Sequence, residues 1–300
     1  MVEIVTLDHH FRDTDQVIAS FIVRKGADKI LIETGAYATY EHLEDALRKE
    51  GYTPGDFRHV FLTHIHFDHA GAAWAFARHG AMIYVHEVGA PHLNRPEKLW
   101  NSAVMIYGDQ MDSLWGKMEP IPSVQLTALR DGDRITVGDL VIKVLYTPGH
   151  ASHQVTYDIE GNIFTGDAGG IKIGQGPVVP PCPPPDIDIE LWKRSVDKIR
   201  EARPHTLYLT HFGPVTAVEE HCTALRNILD DWAGFIYPHY KNATPREELV
   251  SLFVQYTREQ LAHTGLDRHM IEQYEYANPS YMSVNGLLRY WKLKEEGRLQ

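Results

Sequence analysis

Four potential metal ligands occur within six residues of one short segment, and this crowding constrains the fold more than any other feature of the chain. The segment reads His-Ile-His-Phe-Asp-His at residues 64–69 and follows an apolar run at residues 60–62. In an extended segment, alternate residues point to the same side, so His64 and His66 can meet one cation. The Asp-His pair that follows lies where a helix-like pattern begins, and it can turn toward a second cation. The sequence therefore predicts a metal site at the end of a buried strand.

Three later segments also present a possible ligand at a strand end or a tight turn. His150 follows Thr-Pro-Gly, Asp167 follows Thr-Gly, and His211 follows a Thr at the end of an apolar strand. A lone histidine or strand-end aspartate is common in purely structural roles, so each segment is weak evidence by itself. Together with the first segment they supply five histidines and two aspartates. Imidazole nitrogens and carboxylate oxygens suit zinc, and also iron or manganese.

The composition indicates an ordinary globular protein with a sizeable core. The chain has 300 residues, of which 43% are hydrophobic and 23% charged. A formal net charge of −11 without a Lys/Arg block disfavours a nonspecific nucleic-acid binder. The two cysteines, Cys182 and Cys222, are far apart and fit a reducing compartment better than a disulfide scaffold. Residues 1–30 lack a signal-peptide pattern, and no apolar run reaches about 18 residues, so we expect a cytoplasmic protein without a membrane span.

The pattern of apolar residues changes near residue 215. Upstream, strand-like and helix-like segments alternate, and strand signals dominate residues 124–165. Downstream, helical spacing dominates to the end, and the first of the predicted helices there covers Ala217 to Trp232. We therefore predict a main domain at residues 1–215 and a helical extension at residues 216–300.

Two segments with little regular pattern are predicted to lie near the site. Residues 94–123 contain two tryptophans, a tyrosine and three methionines, which indicates either a cover over a pocket or a local helix packed on the core. Residues 169–185 are rich in Gly and Pro and end in Pro-Pro-Cys-Pro-Pro-Pro, which predicts an extended loop. We interpret His153 as a structural residue of a strand, with a hydrogen-bond donor to the metal ligands as the alternative.

The order of these motifs resembles the metallo-β-lactamase superfamily. The resemblance spans Thr34-Gly35 to His211 and includes the H-x-H-x-D-H, Thr-Pro-Gly-His and Thr-Gly-Asp motifs and the strand-end histidine. It implies an α/β fold, a four-layer αβ/βα sandwich, with the helical extension added at its C-terminal end. It also implies two divalent metal ions, zinc in the first place and iron or manganese as alternatives. In the implied arrangement one metal is held by His64, His66 and His150, the other by Asp68, His69 and His211, and Asp167 bridges both.

Within the superfamily, the ligand set with Asp167 is similar to that of glyoxalase II and the acyl-homoserine lactonases. Prokaryotic members with a similar helical extension share the C-terminal motif that reads here from Gly286 to Trp291. Glu33 stands where the family commonly has the aspartate of an Asp-Thr-Gly motif. A longer carboxylate can orient a ligand histidine through a hydrogen bond, and a solvated or core-edge glutamate is the alternative.

The resemblance implies a hydrolase. A hydroxide bridging the two metals would attack the carbonyl of an ester, thioester or lactone, and Asp68 or Asp167 would accept and relay the proton. A net charge of about +1 on such a centre favours an anionic substrate group or a developing oxyanion. We expect a small-molecule substrate and neither a nucleic acid nor a membrane as partner. The oligomeric state stays open, with a homodimer among the options.

Two other function classes stay open. A mononuclear iron oxygenase resembling the persulfide dioxygenases would keep much of the same His/Asp pattern. A regulatory or effector protein would keep the metal site and act through its helical extension. Metal content with oxygen consumption separates the first class from a hydrolase, and deletion of residues 216–300 tests the second.

Overall fold

The computed structural model describes residues 1–299, and this part of the chain forms twelve strands and eleven α-helices. The strands are β1 (Glu3–Asp8), β2 (Ala19–Lys25), β3 (Asp28–Ile32), β4 (His59–Phe61), β5 (Met82–His86), β6 (Leu126–Leu129), β7 (Arg134–Val137), β8 (Leu140–Tyr146), β9 (Val155–Ile159), β10 (Asn162–Phe164), β11 (Thr206–Leu209) and β12 (Gly213–Val215). The helices are α1 (Tyr40–Lys49), α2 (Phe67–Ala70), α3 (Ala73–Arg78), α4 (Ala90–Asn94), α5 (Glu97–Tyr107), α6 (Met111–Leu114), α7 (Ile189–Glu201), α8 (Val218–Lys241), α9 (Arg246–His263), α10 (Arg268–Ala277) and α11 (Ser280–Glu295).

The strands form two mixed six-stranded sheets. The first has the order β1-β2-β3-β4-β5-β6, with antiparallel pairs up to β3 and parallel pairs from β3 to β6. The second has the order β12-β11-β10-β9-β8-β7, and only β10 and β11 pair in parallel among its strands. Each sheet thus combines local hairpins with parallel strands that are joined by helical crossovers.

Three apolar layers separate four layers of secondary structure. Between the two sheets, the ring of Phe21 packs edge-on against Phe164 with centroids 5.3 Å apart. On the outer face of the first sheet, Leu43 of α1 packs into a cluster with Val60 of β4. On the outer face of the second sheet, Trp192 of α7 lies in a third cluster. The α/β fold and the αβ/βα sandwich expected from the sequence are confirmed.

The two sheets are joined at the edge where the ligand-bearing strands end. The N–H of Val155 donates to the carbonyl oxygen of Thr63 at 2.8 Å, and the Tyr157 hydroxyl donates to that of Leu62 at 2.6 Å. The N–H of Ala19 donates to the carbonyl oxygen of Thr210 at 2.8 Å. These bonds fix the loop that follows β4 against β9 of the other sheet, and the loop that follows β11 against β2. They also supply partners for buried backbone groups.

The C-terminal helices share one apolar core with the second sheet. Leu225 of α8, Phe253 of α9 and Leu287 of α11 are buried in the same cluster as Trp192. Gly286 of α11 contacts the Pro-rich loop so closely that a Cβ built on it would lie 1.9 Å from the carbonyl oxygen of Cys182. The helical extension therefore packs directly on a loop of the site, and the division of the chain at residue 215 stays a prediction.

Several elements differ from the sequence prediction. Helix α8 continues nine residues past the predicted end at Trp232, because Ala233 and Ile236 prolong its buried face. Residues 94–123, which lack a clear periodicity, form α5 and α6 and also line a cavity. The strands β1 and β12 were not predicted. Among residues 1–299, no helix is both long enough and apolar enough to cross a bilayer.

Candidate metal centre

The seven residues singled out in the sequence lie together at the shared edge of the two sheets. His64 and His66 lie in the turn between β4 and α2, and α2 carries the next Asp-His pair in its single turn. The three remaining ligands follow the ends of β8, β10 and β11. Strand ends from both sheets thus deliver side chains to one place, as expected from the pattern of apolar runs each followed by a polar residue.

The ligand atoms fall into two sets. In the first ligand set, made of His64, His66 and His150, Nδ1 of His66 lies 2.9 Å from Nε2 of His64 and 3.0 Å from Nε2 of His150. The second ligand set is made of Asp68, His69 and His211. Oδ1 of Asp68 lies 3.8 Å from Nε2 of His69, and its Oδ2 lies 3.6 Å from Nε2 of His211. Within each set the donor atoms lie within 4.8 Å of one another.

Asp167 faces both ligand sets. Its Oδ2 lies 3.3 Å from Nε2 of His150, in the first set. Its Oδ1 lies 3.2 Å from Nε2 of His69 and 3.4 Å from Nε2 of His211, in the second set. One carboxylate oxygen is therefore directed at each set, an arrangement that is compatible with a bridging carboxylate.

The site fits divalent cations. Nε2 of His69, Nε2 of His211 and Oδ1 of Asp167 are buried and make no hydrogen bond within the described chain. Burying polar atoms without partners is costly, so their convergence indicates a group that they bind together. A set of five imidazoles and two carboxylates suits zinc and also iron or manganese.

Hydrogen bonds from the distal ring nitrogens orient the ligand histidines. Nδ1 of His150 donates to the carbonyl oxygen of Pro181 at 2.9 Å, and Nδ1 of His211 donates to that of Val17 at 2.6 Å. Because Nδ1 carries the proton in each ring, Nε2 keeps its lone pair toward the centre. Sequence reasoning missed these partners, since a backbone carbonyl has no signature in the sequence.

Glu33 orients two further ligands from a fully buried position. Its Oε1 accepts from Nδ1 of His69 at 3.2 Å and also from the hydroxyl of Thr63. The Thr63 oxygen in turn accepts from Nδ1 of His64 at 3.1 Å. Glu33 adopts a left-handed backbone conformation with φ 64°, which costs a non-glycine residue on the order of 1–3 kcal/mol. Of the two interpretations open from the sequence, the structure supports the orienting carboxylate.

Electrostatics differ between the two ligand sets. Burial lowers the pKa of His64 well below its usual value and lowers that of His66 to about 4, so these rings are neutral near pH 7. Burial acts in the same direction on His69, but the carboxylates of Asp167 and Asp68 outweigh it and raise its pKa. Burial acts to raise the pKa of Asp167, yet the nearby histidines, His69 first, hold it well below its usual range. The second ligand set therefore attracts positive charge.

A cavity of about 1020 Å³ opens onto the centre, and His66, Asp68, Asp167 and His211 form part of its wall. His153 also lines it, on the turn before β9 rather than in a strand, so the predicted strand position was wrong. The N–H of Ile65 donates to Nδ1 of His153 at 3.5 Å. Burial lowers the pKa of His153 well below its usual value, so this imidazole is neutral, and it accepts a backbone hydrogen bond instead of donating one to a ligand.

A family model and several known proteins match this chain. The family model described as the metallo-beta-lactamase superfamily matches residues 13–211. A metallo-beta-lactamase fold-containing protein of Sulfurisphaera tokodaii is 27% identical over 54% of this chain and 64% of its own length. The acyl-coenzyme A thioesterase of Homo sapiens is 28% identical over 52% of this chain and 54% of its own length. The chain thus spans less than two thirds of the length of either relative.

A solved structure resembles the whole described chain. The crystal structure of a metallo-beta-lactamase family protein from Thermus thermophilus superposes with a TM-score of 0.65. The match covers 99% of this chain and 94% of that protein, at 20% sequence identity. At this identity the likeness concerns the fold, and it includes the C-terminal helices.

Proposed function

The chain belongs to the metallo-β-lactamase superfamily, and on that premise we propose that it is a metal-dependent hydrolase of carboxylic esters, thioesters or lactones. The observation that carries the proposal is the position of Asp167, with one oxygen directed at each ligand set. The name of the human relative, an acyl-coenzyme A thioesterase, supports hydrolysis of an acyl group.

The seven side chains would hold two divalent cations. His64, His66 and His150 would bind one, Asp68, His69 and His211 the other, and Asp167 would be shared. Zinc is the metal we propose, because it accepts mixed imidazole and carboxylate ligands. When bound, the two cations would lower the pKa of a coordinated water and polarise a substrate carbonyl.

Asp68 is suited to accept and relay the proton of the attacking water. Both aspartates line the cavity, but the side chain of Asp68 is 20% exposed, whereas that of Asp167 is 4% exposed. A partly solvated carboxylate can accept a proton and pass it to solvent or to the leaving group. Asp167 would act as a fixed ligand, and Asp68 as the group that exchanges protons.

Glu33 and the two backbone carbonyls would hold the ligand rings in the orientation that binding requires. Each fixes the proton on the distal nitrogen of a ligand histidine. Because these hydrogen bonds already orient the rings, the ligand atoms would need little reorganisation when a cation binds.

Metal-loaded protein assayed on matched p-nitrophenyl esters, acyl thioesters and lactones tests the proposal. We expect hydrolysis by the wild type, and a loss of about a hundredfold or more in kcat/KM for Asp68→Ala with metal content measured in parallel. Glu248→Gln, an exposed change at the start of α9, serves as the control. Wild-type protein with full metal content that hydrolyses none of these substrates would overturn the proposal. Oxygen consumption with one iron per chain would instead favour an oxygenase.

A further inference from the structure

The cavity beside the metal centre has an apolar wall that begins between the metal ligands themselves. Ile65 and Phe67 alternate in sequence with His64, His66 and Asp68, and both line the cavity. Apolar side chains therefore adjoin the ligands in the wall of the cavity.

Aromatic rings extend this wall away from the ligands. Trp115 lies at its middle, with ring centroids 6.1 Å from Phe67, 5.7 Å from Phe11 and 5.3 Å from Tyr107. All four rings line the cavity. Aromatic side chains in this arrangement offer a large apolar contact area with little loss of side-chain entropy on binding.

Two separate parts of the chain close the cavity. Helix α5 contributes Ala103, which is buried, and the junction of α10 and α11 contributes Ala277 and Met282. Residues 94–123 and the helical extension thus both contribute to the wall of this cavity. The cavity volume of about 1020 Å³ lies at the upper end of the range for drug-sized ligands, roughly 300–1,000 Å³.

Charged groups of the wall are few and largely balanced. Apart from the ligands, the lining holds two cations, Arg12 and Lys98, and three carboxylates, of which Asp186 and Glu275 accept hydrogen bonds from Ser152 and Ser280. Within the described residues, the cavity therefore lacks the surplus of positive charge that a polyanionic ligand would require.

We propose that the substrate is an ester or thioester that bears a bulky apolar group, which this cavity encloses. The inference rests on the proposed hydrolase function and specifies its substrate class. In the reaction, one water adds to the carbonyl carbon, the bond from that carbon to sulfur or oxygen breaks, and the leaving thiol or alcohol takes a proton. The products are a carboxylic acid and the thiol or alcohol, without any change in oxidation state.

Two series of substrates test the proposal with metal-loaded protein. p-Nitrophenyl esters from acetate to dodecanoate vary the acyl side, and alkyl acetates from ethyl to decyl vary the alcohol side. We expect kcat/KM to rise at least about tenfold along one series, as burial of about two methylenes would give. Values that are flat or falling along both series would overturn the proposal and leave the hydrolase function standing.

Variants that fill the cavity make the test specific. Ala103→Phe and Ala277→Phe fill it from two separate parts of the chain, and Met105→Phe, at a residue that is 82% exposed and outside the cavity, is the control. We expect each filling variant to lower the ratio of kcat/KM for the longest favoured substrate to kcat/KM for the shortest by about tenfold. An equal loss for both lengths in both variants, with folding verified by circular dichroism, would contradict the proposal.

A binding measurement separates this inference from the hydrolase proposal. Decanoate and acetate are titrated against the intrinsic fluorescence of the tryptophans, two of which, Trp100 and Trp115, pack on Phe67. We expect decanoate to quench the fluorescence and to bind with an affinity at least about tenfold higher than that of acetate. The Ala103→Phe variant is expected to bind decanoate more weakly. If no ester is hydrolysed but decanoate binds in this way, the hydrolase proposal fails and the apolar cavity is retained. Equal weak binding of both acids would overturn the inference.

Discussion

Oε1 of Glu33 lies 3.2 Å from Nδ1 of His69, and the same oxygen also accepts the hydroxyl of Thr63, which supports His64. One buried carboxylate is thus linked to a histidine in each ligand set. Glu33, which directly follows β3, is therefore connected to both ligand sets. This connection also gives a reason for the left-handed backbone conformation of Glu33. That conformation places the carboxylate where His69 and Thr63 both need an acceptor.

Removal of the Glu33 carboxylate should weaken metal binding without removing a ligand. For Glu33→Gln we expect an apparent affinity for zinc that is about 10–100-fold lower, because the amide is a weaker acceptor for His69. A chelator competition measures this affinity. Glu248→Gln is the matched control on an exposed surface. Unchanged zinc affinity in Glu33→Gln would show that the hydrogen bond does not orient the ligand.

The contact between α11 and the Pro-rich loop predicts opposite effects for two Gly→Ala changes. Gly286→Ala places a Cβ 1.9 Å from the carbonyl oxygen of Cys182, so we expect a loss of about 1–3 kcal/mol in the free energy of unfolding. Gly234→Ala, within α8, has nothing within 4 Å of its new Cβ and should gain up to about 1 kcal/mol. Urea denaturation measures both. A stabilised Gly286→Ala variant would refute the packing of α11 described above.

Burial of His9 predicts a loss of stability in acid. The ring donates to Thr39 and accepts from Ser20, and burial lowers its pKa to about 3, against roughly 6.5 in an unfolded chain. Below about pH 6.5 the His9 ring is protonated in the unfolded chain but stays neutral in the native protein. The free energy of unfolding therefore falls as the pH falls. At pH 5 this difference in protonation lowers the free energy of unfolding by roughly 2 kcal/mol.

The His9→Gln variant tests this linkage, because an amide can keep one donor and one acceptor at the same place. We expect its free energy of unfolding to fall less between pH 7 and pH 5 than that of the wild type, by roughly 2 kcal/mol. His263→Gln, on the exposed end of α9, is the control and should follow the wild type. Parallel slopes for His9→Gln and the wild type would contradict the prediction.

The two cysteines should be unreactive in the native protein. Burial raises the pKa of the Cys182 thiol well above its usual value and that of Cys222 to about 11. Because the thiolate is the reactive form, iodoacetamide should label neither residue at neutral pH until urea unfolds the chain. Mass spectrometry of the labelled protein checks this. Rapid labelling of folded protein at Cys182 would mean that the Pro-rich loop opens in solution.

The ligands could be predicted from sequence because each is a chemically distinctive side chain next to an apolar strand. His64 and His66 also carry the right spacing for an extended segment, and the strand before them was recognisable. The hydrogen-bond partners Pro181 and Val17 could not be predicted, since they act through backbone carbonyls brought near by the tertiary fold. The metal identities and their number stay proposals.

Tertiary packing explains the elements whose bounds or type the sequence patterns did not predict. Helix α8 extends past Trp232 because Ile236 is buried in the apolar cluster to which the other C-terminal helices contribute, and no local pattern reveals this burial. The segment at residues 94–123 forms helices although its apolar residues face two ways, toward the core and into the cavity. A segment with two apolar environments does not produce a simple amphipathic periodicity.

Metal content per chain tests the dinuclear centre most directly. Wild-type protein and the variants His66→Ala and His211→Ala, one in each ligand set, are loaded with zinc, desalted and measured by inductively coupled plasma mass spectrometry. We predict about two zinc ions per chain for the wild type and about one for each variant, since each change removes a ligand from one set only. One ion per wild-type chain, or two ions retained in both variants, would contradict the assignment of the seven ligands to two metal sites.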